Sequence, residues 1–359
     1  MSKRFALAGA LVVTLLAPIL AAAPDRLATE IARWSSLLAS DTRTDPLWLE
    51  ATKDSKTLLT QVEEELRQGR RLVALERLAA LGQNLAAVLY VTGRPAEERK
   101  NLAAFEAEWK RMGTVLRDVV SPGGRVPQSL ETVRPAIVRA LAELSISQAR
   151  ESYAASLAYG RNTEPQYGLY YLGAAQAQRA FLDIARDVAE PSAVRVPQLR
   201  TLRSEIDALQ AVLLAAYRPP ASIERHSEFI VASSALKEAR EQDAAGHRYA
   251  ALLRYLQSAQ RVTMLRQPAS TDTDAVRRRL EELSVRLDGG GTDHSVGKFF
   301  VERARSALAS TPGATGEATA AAVANEVLPR YFAALEPAGP VAPAQQAQVT
   351  VTLVRWPFT

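Results

Sequence analysis

Apolar residues recur at intervals of three and four along nearly all of this 359-residue chain. One series contains Leu102, Phe105, Trp109, Met112, Leu116 and Val119. Similar series start at Leu199 and at Val276. This spacing places the apolar side chains on one stripe of an α-helix, and another helix must cover the stripe to remove it from water. The sequence therefore predicts an all-α protein built from packed amphipathic helices.

Proline and glycine residues divide this pattern into about a dozen helices. The predicted ranges are 25–39, 45–68, 70–92, 95–120, 129–160, 165–189, 197–217, 221–244, 247–266, 273–287, 295–310 and 317–335. Pro95, Pro165 and Pro197 suit a first helical turn, where a missing N–H group costs little. Gly69, Gly93 and Gly246 suit the left-handed residue that ends a helix. The short connections predict antiparallel hairpins, arranged as an α-solenoid or as an irregular helical bundle.

The proline- and glycine-rich stretch 121–128 (SPGGRVPQ) divides the predicted helices into two groups. We expect an N-terminal helical unit at 24–120 and a C-terminal helical array at 129–335. The last segment, 336–359, combines a Pro-rich linker with a β-branched, strand-like tail around Val349–Trp356. We expect this tail either to lie on the body of the protein or to add a strand to a partner.

The N-terminus has the pattern of a signal peptide, predicted at 1–23. Lys3 and Arg4 precede an apolar run, and three alanines end it at Ala23. Cleavage after Ala22 or after Ala23 is compatible with this pattern. The sequence thus predicts a periplasmic or secreted protein. We expect attachment to a membrane only if the signal segment is not cleaved, and its apolar run is short for a bilayer span.

Composition argues against several kinds of site. The chain has no cysteine, so stability must come from an apolar core and thiolate metal sites cannot form. The three histidines lie far apart in sequence, so we expect no metal site and no cofactor. The net charge is +5, but basic residues alternate with acidic ones, so we expect no nucleic-acid partner. The glycine-rich stretch 288–293 (DGGGTD) matches neither a phosphate loop nor a calcium loop, and we interpret it as a flexible connection.

Two distant segments resemble each other. Residues 69–78 read G-x-R-L-x-A-L-x-R-L, and residues 246–255 read G-x-R-Y-x-A-L-x-R-Y. This order of turn glycine, large residue and small residue resembles the second half of a tetratricopeptide repeat. Leu172 and Gly173 are similar to the Leu-Gly pair of the first helix of that repeat. The resemblance implies a solenoid whose surface binds a protein or a peptide.

Half of the ten tyrosines lie between positions 153 and 171, around a predicted turn between two helices. Tyrosine combines a rigid apolar face with a polar tip, which suits recognition of a glycan, a peptide or a protein. The predicted binding residues are Tyr153, Tyr159, Arg161, Asn162, Tyr167, Tyr170 and Tyr171. Alternatively, helical spacing places several of these tyrosines on one stripe with Phe181, which would make them part of the core.

The same region loosely resembles the peptidoglycan lytic transglycosylases. The resembling residues are Glu151 before Ser152, the stretch from Gly168 and Leu169 to Ala177, and Ala215-Ala216-Tyr217. In that family a glutamate on a helix acts as acid and base on a glycosidic bond, so the resemblance implies this role for Glu151. Tyr170 and Tyr171 replace the family's Met-Gln, and Arg218 replaces its Asn.

The sequence thus favours a non-enzymatic periplasmic scaffold that binds an envelope protein, a peptide or peptidoglycan. A glycan-cleaving enzyme centred on Glu151 and a small-ligand receptor at the tyrosine turn are the alternatives.

Overall fold

A computed structural model describes residues 25–120, 130, 133–188, 194–219, 223–266, 272–289, 291–310 and 314–335. The predicted signal peptide, the linker at 121–128 and the strand-like tail lie outside these residues. All regular elements in the described ranges are helices, which confirms the prediction of an all-α protein. The one extended pairing in these ranges is an isolated bridge between Arg195 and Thr292.

We number the α-helices in chain order. The first six are α1 (Arg26–Ser40), α2 (Pro46–Arg67), α3 (Arg71–Thr92), α4 (Ala96–Arg99), α5 (Leu102–Val115) and α6 (Arg117–Val120). The next five are α7 (Ala136–Asn162), α8 (Pro165–Val188), α9 (Arg203–Ala216), α10 (His226–Ala244) and α11 (Arg248–Arg266). The last are α12 (Thr273–Asp288), α13 (Ser295–Ser310), α14 (Ala314–Ala322) and α15 (Leu328–Leu335). A short 3-10 helix (Ile223–Arg225) precedes α10, and a π-helical turn (Val323–Val327) joins α14 to α15.

Several predicted boundaries differ from the structure. The helix predicted at 129–160 begins at Ala136, as α7, after non-helical residues 133–135. The helix predicted at 95–120 is divided into α4, α5 and α6, because the side chain of Asn101 accepts the N–H of Ala104 at 3.0 Å and starts a new helix. Pro197 does not begin a helix; its carbonyl accepts the hydroxyl of Tyr249 at 2.7 Å, and α9 starts later. The π turn falls directly before Pro329, whose ring and missing N–H disturb the regular helical hydrogen bonds.

The glycine predictions are confirmed in part. Gly69 and Gly246 have φ angles of 76° and 81°, in the left-handed region that favours glycine. Gly93 ends α3 with a φ of −75°, so its prediction as a left-handed residue was wrong.

Helix α3 lies inside the protein and packs against α2 and α8. Its length and apolar composition alone would allow it to cross a membrane, and no other helix in the described ranges meets that test. Here Leu75, Leu81 and Leu85 are fully or almost fully buried, as expected for a core helix. At Gly173 of α8 an added Cβ would lie 2.5 Å from the Cβ of Tyr90, so glycine allows α3 and α8 to approach closely.

Helices α3 and α11 begin in the same way. Each follows a left-handed glycine, and the N-cap residue of α3, Arg70, makes no side-chain capping hydrogen bond. The carboxylate of Glu143, on α7, accepts the N–H groups of Tyr249 (3.1 Å) and Ala250 (3.0 Å) at the start of α11. Glu302, on α13, lies beside the N–H groups of Leu72 and Val73 at the start of α3, and these groups lower its pKa. At α11 a carboxylate from a distant helix therefore satisfies N–H groups that helix formation leaves free, and at α3 the carboxyl group of Glu302 occupies the corresponding place.

The surroundings of the two glutamates also correspond. Next to the start of α11, Ser147 donates a hydrogen bond to buried Gln242 at 2.9 Å, and His247 lies 2.8 Å from the same amide oxygen. Next to the start of α3, Ser306 donates to buried Glu65, which pairs with Arg70. The protein thus uses one arrangement twice: α7 caps α11, and α13 caps α3.

The glycine-rich stretch 288–293 does more than connect two helices. Its last residue, Asp293, is buried and accepts the N–H of Ala136 at 2.6 Å, at the start of α7. Asp293 also accepts the N–H of Ser295 at 2.9 Å, at the start of α13. One carboxylate therefore fixes the beginnings of both capping helices.

Candidate functional site

The tyrosines at the start of α8 form one side of an apolar groove, which we call the tyrosine groove. It has a volume of about 330 Å³ and is lined by Leu47, Val88, Val91, Gln166, Tyr167, Tyr170 and Tyr171. Asp45 caps α2 by accepting the N–H of Leu47, which fixes Leu47 in the first turn of that helix. Tyr167 is 51% exposed and Leu47 is 50% exposed, so the groove opens to solvent.

The aromatic wall of the groove is held by ring contacts. Tyr159 stacks on Tyr171 with ring centroids 4.8 Å apart and planes 17° apart. Tyr170 meets Tyr171 edge to face at 5.7 Å, and its hydroxyl donates to Oδ1 of Asn84 at 3.1 Å. Burial raises the pKa of Tyr170 and of Tyr171, so both hydroxyls stay protonated at neutral pH. The wall is therefore an uncharged aromatic surface in a fixed orientation.

The other predicted binding residues lie outside this groove. Tyr153 stacks on Trp109 at 5.1 Å, and its hydroxyl donates to the carbonyl of Trp109, so it joins α7 to α5. Arg161 pairs with Glu106 at 2.7 Å on the surface, and Asn162 is exposed at the end of α7. Of the seven predicted residues, three line the groove and Tyr159 extends its aromatic wall.

Sequence reasoning missed the residues that α2 and α3 contribute. Leu47, Val88 and Val91 are distant from the tyrosines in sequence, so no local pattern connects them with the turn. A signal for Leu47 was nevertheless present. It lies beside Trp48, which is 2% exposed and faces the core, so helical geometry directs Leu47 away from the buried stripe.

Glu151, the candidate acid and base, is exposed on α7 and lies outside the tyrosine groove. Partial burial and repulsion by Glu238 and Glu241 raise its pKa above the usual value of a glutamate. The other segments that resemble lytic transglycosylases have packing roles. Gly168 is buried against Phe105, and Tyr217 stacks on Phe229 at 4.2 Å.

Among the described residues, no three histidine or acidic side chains are grouped as metal ligands. Each histidine has a neighbour of its own: His226 lies 2.8 Å from the hydroxyl of Tyr217, and His294 lies 3.0 Å from that of Tyr331.

The chain matches no protein-family model, no characterised protein and no solved structure.

Proposed function

We propose that this is a non-enzymatic binding protein of the periplasm, and that its tyrosine groove holds an apolar segment of an envelope protein or peptide. The observation that carries this proposal is the exposure of Tyr167 and Leu47, which line the same apolar groove. Water in contact with such a surface is released when an apolar side chain enters, which favours binding.

The chemistry of the groove favours a peptide over a glycan. Its walls are aromatic rings and aliphatic side chains, and its polar groups are the amide of Gln166 and the tyrosine hydroxyls. The hydroxyl of Tyr170 already donates to Asn84. A sugar requires many hydrogen bonds to its hydroxyl groups, whereas an apolar side chain requires only contact with the rings. Tyrosine is also suited to this role because it loses little conformational entropy on binding.

The helical framework holds the groove in place. Helices α7 and α8 are joined by a two-residue connection, 163–164, and pack against each other, which supports the antiparallel hairpins expected from the sequence. In a linear solenoid each hairpin would touch only its neighbours. Helix α3 instead packs against α2, α8 and α13, so we favour an irregular bundle over a tetratricopeptide-like solenoid.

The periplasmic location rests on the signal-peptide pattern of residues 1–23 alone. A cell fractionation that places the full chain in the cytoplasm would remove this part of the proposal and leave the binding groove untouched.

Photo-crosslinking in living cells tests the groove. A photoreactive phenylalanine analogue replaces Tyr167 in the full chain, and the same analogue replaces Val285, which is 65% exposed on α12, as the matched control. We expect a discrete adduct from position 167 that position 285 does not give. Adding Tyr171→Ala should abolish this adduct, because the aromatic wall loses its central ring.

Identical adducts at both positions, or an adduct that persists after Tyr171→Ala, would contradict a specific groove. Thermal unfolding of each variant shows whether the fold is intact. Tyr159→Ala is the second variant: Tyr159 is 45% exposed, so we expect a small loss of stability and a weaker adduct.

A further inference from the structure

A second cavity, with a volume of about 300 Å³, lies between α3, α11, α13 and α14. Its walls include Glu76, Arg254, Gln260, Arg261, Arg303 and Thr319, and we call it the arginine cleft. We propose that the arginine cleft binds an anionic group, either a carboxylate or a phosphate. This site is separate from the tyrosine groove and does not depend on the function proposed for it.

The charges around the arginine cleft do not balance. Arg303 pairs with Glu76 at 3.1 Å, and Arg254 pairs with Glu238 at 2.7 Å. Arg261 makes no ion pair or hydrogen bond with any residue in the described ranges. One positive charge is therefore left without a partner on the wall of the cleft.

Glu76, the acidic residue that lines the cleft, already has hydrogen-bond partners. Oε1 of Glu76 accepts from Arg303 at 3.1 Å and from Nε2 of Gln257 at 3.3 Å. Gln257 in turn accepts from Arg254 at 2.9 Å. This network fixes four side chains in the wall. Glu76 attracts the charge of Arg261 but forms no ion pair with it in the described ranges. A bound anion is then the group that can pair with it.

Uncharged donors also face the cleft. Gln260 is only 6% exposed, and its amide makes no hydrogen bond with a described residue. The amide lines the cleft and is open to a hydrogen bond with a ligand or with water. Among the described residues, the hydroxyl of Thr319 has only the sulfur of Met264 at 3.9 Å, which is a weak acceptor. The amide, the hydroxyl and the free guanidinium of Arg261 together form a donor set for one anion.

The charges around Arg261 also favour an anionic ligand. Partial burial, followed by repulsion from Arg303 and Arg254, lowers the pKa of Arg261, although it stays protonated at neutral pH. An anion would reduce this repulsion and accept the paired N–H groups of the guanidinium. A cation would add to the positive charge, so the charge of the cleft selects against it.

Thermal unfolding of the full chain in matched buffers tests the proposal. Inorganic phosphate and succinate are the probes, and sodium chloride at equal ionic strength is the reference. We expect phosphate or succinate to raise the unfolding temperature above that in chloride. A rise with phosphate alone assigns a phosphate ligand, and a rise with succinate alone assigns a carboxylate.

Two variants localise the effect. Arg261→Gln should weaken binding of the active probe by about tenfold to 100-fold, the usual contribution of a charge-assisted hydrogen bond. Gln260→Met keeps the volume of the side chain and should weaken binding to a smaller extent. The matched control is Arg279→Gln, which removes an exposed arginine of α12 and should bind as the parent does.

Two results would overturn the site. One is the absence of any rise above the chloride reference. The other is an equal rise in the parent, Arg261→Gln and Gln260→Met, which would mean that the anion binds elsewhere. Because Arg261 has no described partner to lose, Arg261→Gln is expected to fold, and circular dichroism checks this.

Discussion

Raising the pH from 5 to 8 should weaken the fold through one carboxyl group, that of Glu302. Burial raises the pKa of Glu302 from 4.5 to about 7, against the opposing effect of the N–H groups of Leu72 and Val73 and the charge of Arg70. One of its oxygens, Oε2, is buried without a hydrogen-bond partner among the described residues. The folded protein therefore holds a proton on Glu302 that the unfolded chain gives up.

The sign of the effect follows from this difference. The unfolded chain loses the proton of Glu302 near pH 4.5, and the folded protein keeps it until about pH 7. Between these values the unfolded state binds fewer protons, so the free energy of unfolding decreases as the pH rises. The full difference corresponds to at most about 3 kcal/mol. Because Glu302 is partly exposed, solvent screening reduces the expected loss to about 1–2 kcal/mol.

Urea unfolding followed by far-UV circular dichroism measures this loss in the parent and in Glu302→Gln. The glutamine oxygen can still accept the N–H groups of Leu72 and Val73, but it carries no charge at any pH. We expect the two proteins to be equally stable near pH 5 and the variant to be more stable by about 1–2 kcal/mol near pH 8. The control is Glu282→Gln, since the side chain of Glu282 is 65% exposed.

A constant difference between the parent and Glu302→Gln across this range would refute the reasoning. So would a parent that is more stable than the variant at pH 8, because the charged carboxylate would then be the better cap. If the difference in stability between the parent and Glu282→Gln changed with pH to the same extent, the loss of stability would not come from Glu302.

Two further predictions concern packing and capping. Glu143→Ala should destabilise the protein by about 3–5 kcal/mol in urea unfolding, because it leaves buried N–H groups at the start of α11 without their acceptor and removes the buried carboxylate that pairs with Arg139. Glu143→Gln keeps an oxygen that can accept these N–H groups, so it should lower the free energy of unfolding by clearly less. Equal losses in the two variants would contradict the capping role. Gly173→Ala should cost about 1–3 kcal/mol, because its Cβ would meet Tyr90 and force α3 and α8 apart. At Gly289 an added Cβ would lie 3.8 Å from its nearest neighbour, so Gly289→Ala should change the free energy of unfolding by no more than about 0.5 kcal/mol. An equal loss of stability at both positions would contradict the argument from close approach.

Part of the candidate site could be predicted from the sequence. Tyr167, Tyr170 and Tyr171 occupy the first turns of one helix, so their proximity follows from helical geometry. Their exposure could not be predicted, because the same spacing also fits a buried stripe. The opposite wall, with Leu47 and Val88, comes from other helices and became visible only in the folded protein.

The arginine cleft was not predicted at all. Arg254 and Arg261 lie on α11, and their charges look balanced in a sequence where acids and bases alternate. Only the structure shows that Glu238 pairs with Arg254 and Glu76 with Arg303, and that Arg261 has no ion pair with any residue that the structure describes. Pairing of charges depends on distances between helices, which composition does not contain.

The sequence by itself determined the helices and the faces that they bury. Val276, Leu280, Leu283 and Leu287 were predicted on one stripe, and all four are buried on α12. Such a stripe follows from the period of a single helix, so neighbouring residues alone are sufficient to encode it. The same holds for Gly69 and Gly246, since a left-handed turn is a local property of the backbone.

Only the tertiary structure decided which helix covers which stripe. The similar segments that start at Gly69 and Gly246 were each predicted to resemble the second half of a tetratricopeptide repeat. In the fold each of their helices is capped by a glutamate from a distant helix, Glu302 for α3 and Glu143 for α11. An apolar stripe specifies that it must be buried but not by what. The choice of partner arises from shape and polar contacts between residues far apart in the chain, which no local pattern contains.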